Sequence, residues 1–230
     1  MVHFQAVIPW LNYLLRGTGM TVFLAIMSAI FGLVIAILVN YLRHKRRFSR
    51  VLFAYIDLFR GTPILLQLSM MYYALPRLLG GLINTIFSLD VSFQLSPLQA
   101  AIITFSLNSG AYVSEIIRAG MASIPRGEIE AAESLGVSKW HIFKDILMPV
   151  GLRNSFPSLI NELITLVKES SIVSLIGLLD LMRRQQIVTA QTFLYFEPLL
   201  IVGIVYYTLV KLISLLGRLI EKRWLYAYRA

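Results

Sequence analysis

The chain has 230 residues, of which 57% are apolar and only 14% are charged, and its mean hydropathy is +0.73. Soluble proteins carry about 25% charged residues, so this composition excludes an ordinary water-soluble globule and indicates a multispanning membrane protein. The net charge of +9 is also typical of nucleic-acid binding, but so apolar a chain uses its cations to orient helices in a bilayer, and no nucleic-acid partner is expected. With no cysteine and three histidines, disulfides, thiolate chemistry and a transition-metal site are not expected.

Five segments have the length and apolarity of a membrane-spanning helix, which needs about 20 apolar residues to cross the bilayer core. They cover about residues 18–42, 51–75, 97–119, 154–178 and 196–219. Cations follow the first segment at once, so it is predicted to be a retained helix and not a cleaved signal peptide. No repeat or linker divides the sequence. We therefore expect residues 1–230 to form one all-α transmembrane domain with a long loop over about residues 120–153.

Lys and Arg residues are distributed unevenly between the two sides that five spans define. One side holds fourteen of the 21: Arg43, Lys45, Arg46, Arg47, Arg50, Arg118, Arg126, Lys139, Lys144, Arg153, Arg218, Lys222, Arg223 and Arg229. The other side holds four, Arg16, Arg77, Arg183 and Arg184, and the spans hold Arg60, Lys168 and Lys211. Because short cytoplasmic loops collect cations, the amino terminus is predicted to face outward and the carboxy terminus to face the cytoplasm.

The second predicted span contains charges and helix breakers. Gly61 and Pro63 indicate a break, because proline removes a backbone hydrogen bond within a helix. Asp57 and Arg60 are three residues apart, so one interpretation is an ion pair on one helix face near the cytoplasmic interface. The other is that the broken helix turns its free backbone groups toward a cavity, as helices do near the substrate in transporters. The second interpretation makes Arg60 and Gln67 candidates for substrate binding.

The fourth predicted span carries two carboxylates on one face. Glu162, Thr165 and Glu169 recur at helical spacing, and an ionised group in a span is tolerated only when it faces protein, water or a partner. Glu162 lies roughly 12 Å from the predicted cytoplasmic edge, at about 1.5 Å per residue, a depth that suits a substrate ammonium or guanidinium. Alternatively, Glu162 pairs internally, for example with Arg153. Asn161 is a weaker substrate-binding candidate than Glu162 or Thr165, because it points about 100° away from Glu162.

Small residues in the first and third spans indicate close helix packing. They are Ser28, Gly32, Ala36 and Asn40 in the first span and Asn108, Ser109 and Gly110 in the third. Such residues let helices approach each other closely in lipid, so packing is their expected role.

The loop between spans three and four has the pattern of two short helices. Pro125 suits a helix start, residues 128–135 favour helix, and Gly136 stands where a left-handed residue commonly ends one. Ser138 is placed to cap a second helix, which is expected to end before Pro149.

The loop also carries the pattern E-A-A-x-x-x-G, followed after nine residues by I-x-M-P. Its defining residues are Glu130, Ala131, Ala132, Gly136 and Pro149. This spacing resembles the coupling loop of permease subunits from bacterial ATP-binding-cassette importers, in which leucine usually stands at the position of Met148. The resemblance implies a short helix that docks on a cytoplasmic ATPase, and an ordinary amphipathic loop helix is the alternative. The chain has no G-x-x-x-x-G-K-[ST] motif, so a partner ATPase is expected to bind ATP and Mg.

The chain further resembles the polar amino acid branch of these importers along nearly its whole length. The matching residues are Arg60, Gly61, Thr62, Pro63 and Gln67 in span two, Asn108, Ser109, Gly110, Ala111, Tyr112 and Glu115 in span three, and Lys168, Glu169, Ser170 and Ser171 in span four. The resemblance implies five spans and an alternating-access permease for polar amino acids in the bacterial plasma membrane. A glutamate at position 162 favours a cationic substrate.

The resemblance also implies the partners of the chain. These are two ATP-binding subunits, a second permease subunit that is either a copy or a paralogue, a periplasmic or lipid-anchored amino acid binding protein, and membrane lipid. No cofactor is expected in the chain itself.

Three other functions stay open as alternatives. A permease of the same importer class for another small solute would share the coupling loop. An intramembrane enzyme with Glu162 or Glu169 as general base would need a convergent acid, base or metal constellation, which the sequence does not offer. A passive channel leaves the coupling-loop spacing unexplained. The chain itself is therefore not expected to be an enzyme.

Overall fold

The computed structural model describes residues 4–44, 49–87 and 93–226, which form helices joined by short turns, with no strand in these ranges. The α-helices are α1 (Phe4–Val7), α2 (Leu11–His44), α3 (Ser49–Gly61), α4 (Ile64–Ser69), α5 (Leu75–Phe87), α6 (Pro97–Ala122), α7 (Arg126–Ser134), α8 (Lys139–His141), α9 (Met148–Glu169), α10 (Leu181–Thr192) and α11 (Phe196–Tyr226). The predicted all-α class is confirmed. Four of the predicted cytoplasmic cations, Lys45, Arg46, Arg47 and Arg229, lie outside the described residues.

Shorter helical turns connect several of these elements. A 3₁₀ turn (Ile8–Trp10) joins α1 to α2, and another (Ser170–Ile176) follows α9. π-helical turns join α4 to α5 (Met70–Ala74) and α8 to α9 (Ile142–Leu147).

α6 is the central helix of the bundle, and α2 and α9 pack against it. Of its most apolar 18-residue stretch, 67% is buried, against 33% for the corresponding stretch at the amino-terminal end and 6% for that of α11. α11 therefore presents its apolar side chains outward, as a lipid-facing helix does, while α6 presents its side chains to other helices.

The small-residue stripe predicted in the first span is buried along its length and forms the contact between α2 and α6. A Cβ added to Gly32 would lie 3.0 Å from Ser109 Cβ, which shows how closely the two helices approach. Asn40 Nδ2 donates to the carbonyl oxygen of Ser114 across the same contact at 2.9 Å. Residues 108–110 of α6 are buried as well, so the packing role predicted for both sets is confirmed.

The start of α6 agrees with the sequence because its cap is local. Ser96 Oγ accepts a hydrogen bond from the Gln99 N–H at 3.3 Å, and Gln99 Oε1 accepts one from the Ser96 N–H at 3.0 Å. This reciprocal pair is a capping box, and Pro97 occupies the first turn, where its missing N–H costs nothing.

The second predicted span is broken at Gly61 and Pro63, as the sequence predicts. The segments on either side of the break are bent by 107°. The helix then continues beyond the predicted end at residue 75 and reaches Phe87. A π-helical turn ends two residues before Pro76. Proline lacks an N–H and crowds the carbonyl one turn back, and the wider π turn accommodates it.

The prediction that the second loop helix ends before Pro149 is wrong. Ser138 does cap its start, since Ser138 Oγ accepts from the His141 N–H at 3.4 Å. However, α8, the π-helical turn at 142–147 and α9 follow each other without a break, and Pro149 lies in the first turn of α9. As at Pro76, a π-helical turn directly precedes the proline and absorbs the crowding that would otherwise end the helix.

By length and composition, three helices in the described parts of the chain are able to cross a membrane, or four if the bent pair is counted as one span. α9, which the sequence predicts as the fourth span, is not among them, and it contains Arg153, Glu162, Lys168 and Glu169. The count of five spans therefore stays a prediction. α10 fills a stretch to which the sequence analysis assigned no helix.

Asp180 caps α10 at the end of the bundle opposite α7. Its two carboxylate oxygens accept from the N–H groups of Met182 and Arg183 at 3.2 and 2.8 Å. Asp180 is fully buried, and this burial raises the pKa of its carboxyl to about 6. The hydrogen bonds that the carboxylate accepts from backbone N–H groups lower the pKa, but by less than burial raises it. A Cβ on Gly17 of α2 would lie 2.6 Å from Leu181 Cα, so α10 is seated directly on the start of α2.

α6 and α9 approach most closely where two glycines face each other. A Cβ on Gly120 would overlap Ser155 Oγ and the carbonyl oxygen of Gly151, and a Cβ on Gly151 would overlap the Met121 side chain. Ser155 Oγ donates to the carbonyl oxygen of Ile116 at 2.9 Å across this contact. The contact leaves no room for a side chain at either glycine.

We expect Gly120→Ala to destabilise the protein by about 1–3 kcal/mol, because the added methyl group forces α6 and α9 apart. Gly203→Ala is the matched control, since a Cβ there meets nothing within 4 Å, and replacing a helical glycine is expected to stabilise by up to about 1 kcal/mol. The melting temperature of each detergent-solubilised variant, followed by size-exclusion chromatography, tests this. Equal melting temperatures for Gly120→Ala and the parent protein would contradict the packing argument.

Candidate functional site

The break in the second predicted span leaves backbone carbonyls without helical partners, and two side-chain amides replace them. Gln67 Nε2 donates to the carbonyl oxygens of Phe59 and Thr62 at 2.9 and 3.0 Å. Asn108 Nδ2 of α6 donates to the Phe59 carbonyl oxygen at 3.1 Å and to Gln67 Oε1 at 3.0 Å. We call these four residues the break network. Because lipid offers no hydrogen bonds, this network stabilises the bend.

Gln67, a predicted substrate-binding residue, thus lies at the break, but both polar atoms of its amide are bonded to the chain itself. Direct contact between Gln67 and a substrate stays a prediction. Asn108, for which the sequence analysis expected only packing, has a hydrogen-bonding role in addition to being buried.

Glu162 lies on the face of α9 that meets α6. Its side chain lies beside Ser109, and it is close enough to Glu169 for the two charges to repel each other. Thr165 Oγ1 donates to the carbonyl oxygen of Asn161 at 3.1 Å, so its hydroxyl is partly engaged by its own helix. The two carboxylates therefore share one side of α9, as their spacing predicts.

Asn161 lies apart from this face. It is exposed and lines a groove of about 210 Å³ between α9 and α11, together with Pro157, Ser214 and Gly217. The structure does not bring Asn161 together with Glu162, as expected from the angle between adjacent residues on a helix.

A polar cleft opens between α3, α6 and α9 at the end of the bundle that carries α7. It has a volume of about 570 Å³, and its lining includes Arg60, Tyr112, Glu115, Arg118, Asn154 and Ser158. An adjoining cleft of about 420 Å³ shares Arg60, Glu115 and Arg118 and adds Arg43 and Asp57. We call the two together the arginine cleft. Its size is that of a small-molecule site, about 300–1,000 Å³.

Glu115 ties α2 to α6 within the arginine cleft. Its Oε1 accepts from Arg43 Nη1, and its Oε2 accepts from Arg118 Nε at 2.8 Å. Both contacts are ion pairs. Arg118 is three residues from Glu115, a spacing that indicates a pair on a helix, whereas Arg43 lies on another helix and no local pattern points to it.

The first interpretation of the spacing between Asp57 and Arg60, an ion pair, is wrong, because the two side chains do not pair. The Arg60 guanidinium lies over the ring of Tyr112, 5.3 Å from the ring centroid, and Tyr112 Oη donates weakly to the Arg60 carbonyl oxygen at 3.4 Å. Arg60 and Asp57 both line the arginine cleft, which agrees with the second interpretation, a cavity beside the broken helix.

α7 is the exposed helix of the loop, and it begins and ends as the sequence predicts. Pro125 precedes its first residue, and Gly136 follows its last turn with φ +73°. The Val137 N–H bonds to the Ala132 carbonyl at 3.1 Å, and the Gly136 N–H bonds to the Glu133 carbonyl at 3.0 Å. These two bonds form a Schellman motif, for which glycine has the required left-handed freedom.

The surface around α7 combines a carboxylate with exposed apolar side chains. Glu130 and Ala131 are exposed, while Ala132 is buried against its own chain. Leu135 is 84% exposed and Trp140 is 46% exposed. Apolar side chains grouped on a protruding loop are typical of a docking surface.

An aromatic cluster connects this loop to the end of α2. The ring centroids of Tyr41 and Trp140 are 5.2 Å apart, and those of Tyr41 and Phe143 are 5.7 Å apart. The loop is therefore in direct contact with α2.

The fold and the site define an all-helical membrane permease with a polar cleft and a protruding helical loop. Residues 29–226 match the family described as binding-protein-dependent transport system inner membrane component. The chain belongs to this family. It is thus a multi-pass protein of the bacterial inner membrane and the permease subunit of an ATP-binding-cassette importer, and it is not itself an enzyme.

Curated relatives and solved structures extend the similarity over nearly the whole chain. The putative glutamine transport system permease protein GlnP of Rickettsia conorii is 45% identical over 217 residues, 94% of each chain. The arginine transport system permease protein ArtQ of Bacillus subtilis is 42% identical over 222 residues, 96% of each chain. A crystal structure of an amino acid ABC transporter with histidines is 31% identical and has a TM-score of 0.82, covering 97% of this chain and 99% of that one.

We expect Gln67→Glu to destabilise the protein by about 1–3 kcal/mol, because a carboxylate has the shape of the amide but cannot donate to the Phe59 and Thr62 carbonyls. Gln99→Glu is the matched control, since the Gln99 oxygen only accepts in the capping box, and a carboxylate accepts equally well at a helix start. Melting temperatures in detergent test the pair. A Gln67→Glu variant as stable as Gln99→Glu would show that the break network does not hold the bend.

Proposed function

We propose that this permease subunit imports polar L-amino acids by alternating access coupled to ATP hydrolysis in a separate subunit. The observation that carries the proposal is the similarity, over 94–96% of the chain, to permeases named for glutamine and for arginine. The solved amino acid transporter, at 31% identity and a TM-score of 0.82, supports the same substrate class. The carboxylate of Glu162 beside α6 favours a cationic member of that class, because a carboxylate pairs with an ammonium or guanidinium group.

We propose a single transmembrane domain over residues 1–230 with five spans, the amino terminus outside and the carboxy terminus in the cytoplasm. Support for α9 as the fourth span comes from its carboxylate-bearing face, which meets α6 and so can be screened from lipid. Support for the orientation comes from the distribution of cations. Arg43 and Arg118 lie at the α7 end, whereas Arg184 lies against Tyr13 at the opposite end.

The substrate site that we propose contains Glu162 and Thr165 on the inner face of α9, with Arg60 at the head of the arginine cleft. Gln67 supports the site through the break network. Asn161 is the weakest member, because its groove faces α11. In this arrangement Glu162 would bind a cationic group of the substrate, and the helix bend would keep the path from Glu162 to the cleft open.

The coupling surface that we propose consists of Glu130, Ala131, Ala132, Gly136 and Pro149. Two ATP-binding subunits, which hold ATP and Mg, would engage it from the cytoplasm. A second permease subunit, either a copy or a paralogue, would complete the translocation path within the lipid. A periplasmic or lipid-anchored amino acid binding protein would deliver substrate from the other side.

The contacts described above suggest how coupling would operate. Closure of the ATPases would displace α7, and the aromatic cluster at Tyr41 would pass the displacement to α2. The Glu115 ion pairs would then move α6 together with α2. Since α6 carries one wall of the substrate site, its tilt would expose that site to alternate sides of the membrane.

We expect Glu162→Gln to reduce substrate-stimulated ATP hydrolysis by roughly 10-fold or more, because the variant loses a charge-assisted hydrogen bond to the substrate, which contributes about 1.5–3 kcal/mol. The assay uses the assembled transporter in nanodiscs with its binding protein, screened over the twenty amino acids and ornithine. Glu221→Gln is the control, because Glu221 lines the α9–α11 groove with Asn161, the weakest member of the proposed site, and not the face of α9 that carries Glu162. Selective stimulation by a basic amino acid that only Glu162→Gln loses supports the proposed function and site.

Two other results would change the proposal in different ways. Stimulation that survives Glu162→Gln with the same selectivity would make Glu162 structural and move the site to spans two and three. Failure of every amino acid to stimulate the wild type would indicate another small solute.

We expect Leu135→Ser to weaken ATPase binding by roughly 10-fold, because burying a leucine contributes about 1.5–3 kcal/mol, while the melting temperature of the isolated permease stays unchanged. Leu135→Met keeps volume and apolarity and should restore binding. Copurification of the ATPase with tagged permease gives the measurement. Full retention of the ATPase by Leu135→Ser would exclude this residue from the interface.

A further inference from the structure

We propose that Arg60 is the residue that recognises the α-carboxylate of the transported amino acid. The inference rests on the proposed function and extends it, because it assigns the two charged ends of the substrate to two positions beside α6. The cationic group of the substrate faces Glu162, and the α-carboxylate faces Arg60. Such a site accepts amino acids of different side chains but requires a free carboxylate.

The first argument is that the charge of Arg60 is unmatched within the arginine cleft. Glu115 is also in the cleft, but both its oxygens are engaged, one by Arg43 and the other by Arg118. Asp57 lines the cleft without an ion pair to Arg60 among the described residues. Three guanidinium groups against two carboxylates leave the cleft with one net positive charge, which favours an anionic ligand, and Arg60 is the one guanidinium of the three that forms no ion pair with Glu115.

The second argument is that Arg60 is held in an orientation that suits a ligand. Its guanidinium lies over Tyr112, 5.3 Å from the ring centroid, and an aromatic contact of this kind leaves the N–H groups of a guanidinium available to a ligand in the cleft that Arg60 lines. A guanidinium edge forms two parallel hydrogen bonds with a carboxylate. Because the aromatic contact fixes the plane beforehand, less side-chain freedom is lost on binding.

The third argument is the position of Arg60 relative to Glu162. Glu162 lies beside Ser109 of α6. Tyr112 is three residues further along α6, and Ser158, which lines the same cleft as Arg60, is four residues before Glu162 on α9. On both helices, therefore, the residues that neighbour Arg60 lie about one turn, roughly 5.4 Å along the helix axis, from the level of Glu162 toward α7. This offset is of the order of the separation between the two charged ends of an amino acid.

The fourth argument is that the walls of the cleft around Arg60 are polar. Ser158 and Asn154 line the cleft on α9, and Tyr112 lines it on α6. Hydroxyl and amide groups form hydrogen bonds with water or a polar ligand, whereas a surface that only packs against lipid carries apolar side chains.

The test compares each amino acid with its α-carboxamide, which keeps the side chain and the ammonium group but loses the carboxylate. Dissociation constants are measured for L-arginine, L-argininamide, L-glutamine and L-glutaminamide on the nucleotide-free permease–ATPase complex in nanodiscs. The binding protein is left out, because it would impose its own selectivity. For the wild type we expect the carboxamide of the accepted amino acid to bind roughly 10-fold or more weakly, as for the loss of a charge-assisted hydrogen bond.

In Arg60→Gln, the amino acid is expected to bind roughly 10-fold more weakly while the carboxamide is unaffected, so that the ratio between them falls to about one. Glu162→Gln should weaken both ligands together and preserve the ratio. Arg118→Gln is the matched control: it removes a cation from the same cleft, but one that pairs with Glu115, and it should also preserve the ratio. Size-exclusion chromatography confirms that each complex is assembled.

Arg60→Lys keeps the inference testable if Arg60→Gln does not assemble. Lysine retains the charge but not the paired donors. The Arg60→Lys variant should therefore bind the amino acid a few-fold more weakly than the wild type does, and the ratio of the carboxamide to the amino acid dissociation constant should fall. A wild-type ratio in the Arg60 variants that assemble would overturn the inference and leave the proposed function intact. If neither amino acid binds the wild type, the proposed amino acid function fails, and the role of Arg60 fails with it.

Discussion

A backbone group in the interior of a membrane must find its hydrogen-bond partner within the protein, and the rest of this structure depends on how that constraint is met at the broken helix. Gln67 and Asn108 supply the donors that the carbonyls of Phe59 and Thr62 lack. With these bonds, the chain bends by 107° between Ser49–Gly61 and Ile64–Ile86, and both carbonyls keep hydrogen-bond partners within the protein. The turn brings Arg60 over Tyr112 of α6. The arginine cleft is thus a consequence of how the break is satisfied.

α6 is the central helix of the permease, and each of its faces contacts a different neighbouring helix. Asn108, Tyr112 and Glu115 recur at four and then three residues, so they lie on one face, and each contacts the broken helix or the arginine cleft. The neighbouring face carries Ser109 against Glu162, and the glycine at 120 admits α9. A helix that is polar on its packed faces is stable in a membrane only when other helices cover it, which explains why α6 is the most buried of the apolar helices.

The features that the sequence predicts well are those fixed by neighbouring residues. The break at Pro63, the cap at Ser138 and the left-handed stop at Gly136 each follow from local backbone chemistry. What could not be predicted depends on contacts far apart in the chain. The partner of Glu115 on α2 and the direction of the bend are set by tertiary packing. The continuity of α9 through Pro149 depends on a π-helical turn, for which the sequence has no simple signature.

The charges of Glu162 and Arg60 beside α6 are not paired with each other, which bears on the proposed function. Glu162 and Arg60 do not form an ion pair with each other, whereas Glu115 pairs with both Arg43 and Arg118. In a helix bundle that only had to fold, a partly buried carboxylate such as that of Glu162 would be costly without an ion pair, because its charge is partly desolvated without compensation. In the site that we propose, a bound substrate would supply this compensation. A dipolar ligand of the right length satisfies both charges at once, and this is the physical requirement that an amino acid meets.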